Sequence, residues 1–359
     1  VLNQAAWVAV MGMVGGTGYR VGRSMWEARR AKKGLEYFRD VVDAVARESS
    51  AGSLPVEAIA HSTQRQPKNK MAMEIAEKLR GAGVEARMGA TPAELAEEWI
   101  DRGSQRTFFE MWQISEQHGV PLGSLLDRLV TDADAQLAHL AKSDSAMAGA
   151  RLTVMVLLAL PVGALALGQT MGLNSFALLL LTPIGALLLV IGVLLACAGV
   201  VWAEALSASV LGGASGRAGP QKNPELEASR VLDIFALALK QGLSLVDAWR
   251  IATVTAPQEA KEVTALLVLG AGEQAWAGLS ESDQFGPIAR HAAQQARSGA
   301  ALARSVEVHA CRLRRQAADS ATANAERVLI ALAAPLTLCF LPAFVVLGLI
   351  PLVMGLAGL

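Results

Sequence analysis

The fold class expected from this sequence is an all-α membrane protein with two cytosolic helical-bundle modules and about four transmembrane helices. Three observations predict it. First, charge is unevenly distributed over the 359 residues: no Asp, Glu, Lys or Arg occurs in 1–19, 152–202 or 328–359. A bilayer core of ~30 Å takes about 20 apolar residues as a helix, so the middle run of 51 residues has room for two crossings and a turn. Second, the segments between these runs are rich in Ala, Leu, Glu, Arg and Gln and poor in alternating β-branched residues, which favours helix. Third, the two charged segments resemble each other.

The expected organisation follows in chain order: an N-terminal transmembrane segment 1–19, a first bundle 20–151, a transmembrane hairpin 152–202, a linker 203–224, a second bundle 225–327 and a proline-kinked transmembrane helix 328–359. Segment 1–19 is short and glycine-rich. Its basic residues Arg20, Arg23, Arg29, Arg30, Lys32 and Lys33 come after the apolar part rather than before it, unlike a cleaved signal peptide. It reads as a helix entering with its N-terminus outside, or as the end of a longer hydrophobic region. By the positive-inside rule this basic cluster is cytoplasmic, and the order of spans then puts both bundles in the cytoplasm of a multi-pass membrane protein. "GQTMGLNS" at 168–175 supplies the hairpin's polar turn through Gly172 and Asn174. The last run carries Pro335, Pro342 and Pro351, and Pro161 lies in the middle run. A proline inside an apolar helix is tolerated where neighbouring helices satisfy the freed carbonyls, so all four are expected kink sites. The final run is read as one tilted helix, with a re-entrant hairpin turning near Pro342 as the alternative.

Within the bundles, helices are expected at 35–49, 54–65, 69–81, 92–102, 104–117, 121–150, 225–240, 244–255, 257–270, 286–297 and 300–327. Thr91, Pro92 and Glu94 form a capping-box start, and Phe38, Val41, Val42 and Val45 fall on one apolar stripe. "GAGVEARMGA" at 81–90 reads as a loop. "GGASGRAGPQKNP" at 212–224 reads as a flexible linker. Residues 34–150 hold 12 basic against 18 acidic side chains, a balance that disfavours nucleic acid.

The repeat is the most informative feature. "AGSLPVEAI" (51–59) matches "QGLSLVDAW" (241–249), pairing Gly52 with Gly242 and Glu57 with Asp247. "HGVPLGSLLDRL" (118–129) matches "SGAALARSVEVH" (298–309), pairing Gly119 with Gly299 and Leu122 with Leu302. Glycine permits a left-handed helix stop, and an acid in the first turn complements the helix dipole. Each copy runs to an arginine, Arg151 or Arg327, and then reaches a charge-free run with "LLALP" (157–161) or "ALAAP" (331–335).

With these glycine hairpins and the tail "APLTLCFLPAFVVLGLIPLV" (334–353), each copy resembles the type II secretion system F family, and the whole resembles a fusion of the tight-adherence pilus platform proteins TadB and TadC. The resemblance implies a non-enzymatic platform that couples a separate hexameric ATPase to pilin subunits in the lipid bilayer and self-associates. It makes Gly52, Glu57, Gly119, Leu122, Gly242, Asp247, Gly299 and Leu302 the family-motif positions. Departures are the short first segment and "LPVGALALG" (160–168) in place of a CFLPAF tail in the first copy.

The residues alone point to no catalytic chemistry. His61, His118, His139, His291 and His309 are scattered, His309 and Cys311 make at most two ligands of a metal site, and no metalloprotease, serine-hydrolase or phosphate-loop motif occurs. Cys197, Cys311 and Cys339 form no CxxC pair. No cofactor is expected. Arg312, Arg314 and Arg315 are candidate partner contacts on a helix leading to Arg327. Gly163, Gly168, Gly185 and Gly192 permit close helix packing. A transporter or channel subunit is the alternative reading, but the spans offer only Gln169, Thr170, Asn174, Ser175 and Thr182 as polar groups.

Overall fold

The computed structural model describes residues 2–356 other than 65, 66, 68, 100–102, 171–181, 212–223, 255, 257 and 295–298. The chain is 88% helical, and no strand occurs among the described residues. It divides into two compact units. One comprises Arg30–His139 with Pro220–Ala321, and the other Val1–Arg29, Leu140–Gly219 and Thr322–Leu359.

The charged unit is built from α1 (Leu2–Ser50, which it shares with the other unit), α2 (Pro55–Ser62), α3 (Lys70–Arg87), α4 (Pro92–Glu97), α5 (Gly103–His118) and α6 (Leu122–Thr170, also shared). The second half adds α8 (Pro224–Lys240), α9 (Leu245–Ala252), α10 (Gln258–Val268), a 3₁₀ segment (Gly272–Leu279), α11 (Gly286–Gln294) and α12 (Gly299–Ala331, shared). The two segments expected as separate bundles belong to this one unit. Their apolar residues form a single core running from Phe38 and Val45 through Leu125 and Leu126 to Phe235, Trp249 and Val306. The physical reason is that burying the two halves' apolar faces against one another removes from water surface that separate bundles would leave exposed.

Local signals explain most of the helix ends. The predicted stripe Phe38, Val41, Val42 and Val45 is buried along its whole length. The Thr91–Glu94 capping box forms: Thr91 N–H donates to Glu94 Oε2 at 2.9 Å, and Glu94 N–H to Thr91 Oγ1 at 3.4 Å. The expected loop at 81–90 is instead helical to Arg87. Ala82 and Gly83 are buried, and Gly83 lets α2 approach closely: a Cβ there would lie 3.4 Å from Ile59 Cγ2. Tertiary burial thus overrides the helix-breaking tendency of glycine. Helices α2 and α9 stop earlier than expected, at Thr63 and Thr253. The 3₁₀ segment was not anticipated. The expected turn at 168–175 falls largely outside the described residues, as does the linker's 212–223 stretch.

Among the described residues three stretches are long and apolar enough to cross a membrane: Leu152–Thr170, Pro183–Ser207 and one within Ala301–Met354. They belong respectively to α6, to α7 (Pro183–Leu211), and to α12 with the helical stretch that follows it. Segment 1–19 is not among these three. From Leu2 on it is helical as the start of α1, and Val10 packs with Leu165 of α6 and Leu189 of α7.

The C-terminal stretch shows how the prolines are accommodated. The backbone stays right-handed helical through short α-helical pieces, with π-helical segments at Leu336–Phe340 and Val345–Leu349, and it does not reverse near Pro342. Leu341 N–H donates to Leu336 C=O and Ile350 N–H to Val345 C=O, each five residues back. Leu341 and Ile350 immediately precede Pro342 and Pro351. An ordinary α-turn would drive each proline ring into the carbonyl four residues earlier, and the wider turn makes room for it. Pro161 is held inside α6, and both Pro161 and Pro335 are buried.

Glycine sets the helix packing here, though only partly where expected. A Cβ on Gly192 would fall on the Leu347 side chain, whereas one on Gly163 would meet nothing within 4 Å. Gly199, seven residues on from Gly192, lies against the C-terminal stretch: its Cβ position is 2.9 Å from Cys339 Cβ and 3.0 Å from the Phe340 ring. Gly199→Leu is therefore expected to cost about 1–3 kcal/mol through overpacking and to lower the thermal midpoint of the detergent-solubilised chain. Gly163→Leu should leave that midpoint unchanged.

Candidate functional site

The charged unit contains the same device twice. In the first copy, Gly52 (φ +94°) ends α1, with Ser53 N–H donating to Glu48 C=O at 3.0 Å and Gly52 N–H to Ser49 C=O at 3.1 Å. In the second, Gly242 (φ +83°) ends α8, with Leu243 N–H donating to Ala238 C=O at 3.2 Å and Gly242 N–H to Leu239 C=O at 3.1 Å. Both are Schellman stops, which need a left-handed residue that glycine adopts without a Cβ penalty. Eleven residues after each glycine stands a buried threonine. Thr63 Oγ1 donates to Ile59 C=O at 2.7 Å and Thr253 Oγ1 to Trp249 C=O at 3.0 Å. The helices that follow, α3 and α10, end in matching stops at Gly89 and Gly270, with Ala90 N–H donating to Glu85 C=O and Ala271 N–H to Leu266 C=O, both at 3.0 Å. Then α4 packs on α5 as the 3₁₀ segment packs on α11. The threonines and the second glycine pair are repeat positions that sequence reasoning missed. The threonines become visible once Gly52 and Gly242 are set in register, whereas Gly89 and Gly270, 37 and 28 residues on, correspond only across a gap.

The other motif residues fit the same frame. Gly119 (φ +68°) follows α5. Leu122 and Leu302 are buried at the starts of α6 and α12, and Gly299 is the first residue of α12. The two acids differ. Asp247 is held locally, accepting from Ser244 Oγ at 2.7 Å and pairing with Arg250. Glu57 is exposed.

Charge organises the faces where α1, α6, α8 and α12 meet. Arg39 of α1 donates from Nε to Asp134 of α6 at 2.8 Å and from a terminal nitrogen at 3.1 Å. In the register of the repeat, Asp43 corresponds to Asp233 and Asp134 to Arg314, and Asp233 of α8 pairs with Arg314 of α12. The second copy thus also has an ion pair between its first and last helices, with both signs reversed and with its acid at the position of Asp43 rather than of Arg39. Two further bridges cross between the copies. Arg230 of α8 donates to the buried Asp132 of α6 at 2.8 Å. Arg128 of α6 lies 3.5 Å from Glu307 of α12, which also takes Lys240 at 2.8 Å. This fork of cations holds the Glu307 carboxyl below its usual range, chiefly through the Lys240 hydrogen bond. Burial pushes the Asp233 carboxyl up, against the pull of Arg314 and Arg128. At the end of α5, burial and nearby Arg250 lower His118, with Asp247 opposing.

Sequence reasoning placed Arg312, Arg314 and Arg315 together as candidate partner contacts. Arg314 is turned inward onto Asp233, while Arg312 and Arg315 are exposed. Alternate orientation along one helix separates them, since neighbouring residues are turned by about 100°. The histidines are dispersed: His61 faces Glu48 at 3.2 Å, His291 faces Ser305 at 2.8 Å and His309 faces the Gln284 carbonyl at 2.8 Å. Among the described residues no three His, Cys, Asp or Glu side chains are placed to share a metal ion. The arrangement holds helices together by charge. Compared with protein-family models and with curated proteins, the chain matches none.

Proposed function

We propose that the chain is a cytoplasmic-membrane platform of a tight-adherence or type IV pilus, or of a type II-like secretion machine. In this reading the charged unit lies in the cytoplasm and receives work from a separate hexameric ATPase. Four crossings, with the start of α1 as the first, anchor it in the bilayer beside pilin subunits. The observation that carries the reading is the duplicated glycine-stopped hairpin, each copy ending in a long helix, α6 or α12, that goes on to a charge-free run. The ionic seam on these same helices supports it, because a device that transmits displacement needs helices held in fixed register. Exposed Glu57, Arg312 and Arg315 are the side chains we assign to partner contact.

The test is affinity capture of the tagged full chain from cells expressing its neighbouring genes, alongside deletion of the gene. Co-purification of an ATPase and a pilin, together with loss of surface fibres on deletion, is the expected result. Normal fibres in the deletion strain would sink the proposal.

A further inference from the structure

The cationic stretch at the start of α1 has no role in the ionic seam. Within the apolar unit, α1 passes from Val10, packed on Leu165 and Leu189, and Thr17, whose Oγ1 is 3.6 Å from Cys197 Sγ, into Tyr19–Arg29. That stretch is exposed in an unusual way: Tyr19 is 70% and Trp26 53% accessible. Seven residues apart, they share one helix face with Arg23. Tyr19, Gly22, Arg23, Trp26 and Glu27 border one open, shallow face of the helix. A Cβ at Gly22 would meet nothing within 4 Å, so that face is uncovered there. Glu27 is the acid against Arg23, at 2.7 Å. Arg20 and Arg29 are exposed and have no ion-pair partner among the described residues.

From this we infer that the Tyr19–Arg29 face of α1 binds the headgroup of an anionic phospholipid. The inference rests on the membrane part of the function proposed above. Charge complementarity selects the occupant. A phosphodiester with net negative charge is matched by guanidinium groups, which hold phosphate oxygens in a two-pronged hydrogen bond. Tyr and Trp rings next to an apolar helix favour the headgroup level, where one end of the ring is wet and the other apolar. From Tyr19 to Trp26 the helix advances about 10 Å, comparable with the ~5–8 Å depth of one headgroup layer. Glu27 limits the attraction, because an anionic headgroup must displace it from Arg23 or share that cation.

The test uses the full chain, purified in detergent and reconstituted into nanodiscs of phosphatidylcholine alone or with one quarter phosphatidylglycerol, and reads the lipid retained by native mass spectrometry. Wild type should enrich phosphatidylglycerol. The triple variant Arg20→Gln, Arg23→Gln, Arg29→Gln should lose that enrichment by about tenfold or more, since each surface cation contributes several-fold to anionic-lipid attraction. The corresponding triple Lys variant should keep most of it, and Glu27→Gln should raise it. Equal enrichment in wild type and the Gln triple variant overturns the inference, as does displacement of the lipid by millimolar inorganic phosphate. Alkaline carbonate separates the two levels. A chain that stays in the bilayer but shows no lipid preference refutes this site alone, whereas a chain that carbonate extracts refutes the membrane reading and this site with it.

Discussion

Trp249→Ala is expected to destabilise the charged unit by about 3–5 kcal/mol, the usual range for deleting a fully buried aromatic side chain. Trp249 is 1% accessible and stands at the centre of an aromatic cluster. Its ring meets Phe235 at 5.1 Å, Trp276 at 4.8 Å and Phe285 at 6.2 Å, all edge-on. Such edge-to-face pairs add to the burial itself. Its Nε1–H donates to the Ala260 carbonyl at 3.2 Å, tying α9 to α10. Trp249→Phe keeps most of the packing and loses this bond, so a cost of about 1–2 kcal/mol is expected. Pulse proteolysis of the detergent-solubilised full chain across a urea series measures both. A loss below 1 kcal/mol for the alanine variant would show that the aromatic cluster is not part of the cooperative core.

Arg314→Met is expected to cost about 3 kcal/mol, and Asp233→Asn considerably less. Removing one partner of a buried pair leaves the other charge uncompensated. The two partners are not equivalent. The Asp233 side chain is 3% accessible, and its Oδ1 has no hydrogen-bond partner, whereas Arg314 is 21% accessible and can turn its guanidinium to water. Burial raises the Asp233 carboxyl above its ordinary 3.8, so the folded chain holds this proton to a higher pH than the unfolded chain does. Its contribution to stability is therefore greatest below the ordinary carboxyl value and is lost as pH rises through the raised one. Asp233→Asn should abolish that pH dependence. Arg314→Met should strengthen it, because the lost cation no longer opposes the upward shift. The same proteolysis series at pH 4 and pH 7 tests both statements, and equal losses for the two variants at pH 7 would contradict the asymmetry.

These two sites show where sequence reasoning reached and where it stopped. Gly52 and Gly242 were legible because a left-handed helix stop is a local requirement, and glycine meets it wherever it occurs. The capping box at Thr91 was legible for the same reason, as was the Phe38–Val45 stripe, since helical period alone puts those residues on one face. Arg314 could not be told from Arg312 and Arg315. All three are exposed-type residues in one charged run, and only the position of α8 decides which of them meets Asp233. Trp249 matched Ile59 in the repeat as one apolar residue to another, and nothing local announced the aromatic cluster around it.

The apolar unit divides in the same way. Composition alone pointed to four crossings, and three of those stretches are, among the described residues, long and apolar enough for a membrane, because crossing length depends only on residue count and the rise of a helix. Composition also required special accommodation for Pro342 and Pro351, which cannot donate a backbone hydrogen bond. Whether that took the form of a reversal or of two wide π-turns was decided by packing, as was the choice of Gly192 and Gly199 over Gly163 for close approach. The sharing of one core by two repeated halves was likewise decided only in the folded chain. Local chemistry specifies helices, stops and apolar faces one segment at a time; which faces meet depends on residues far apart in sequence burying their surfaces together.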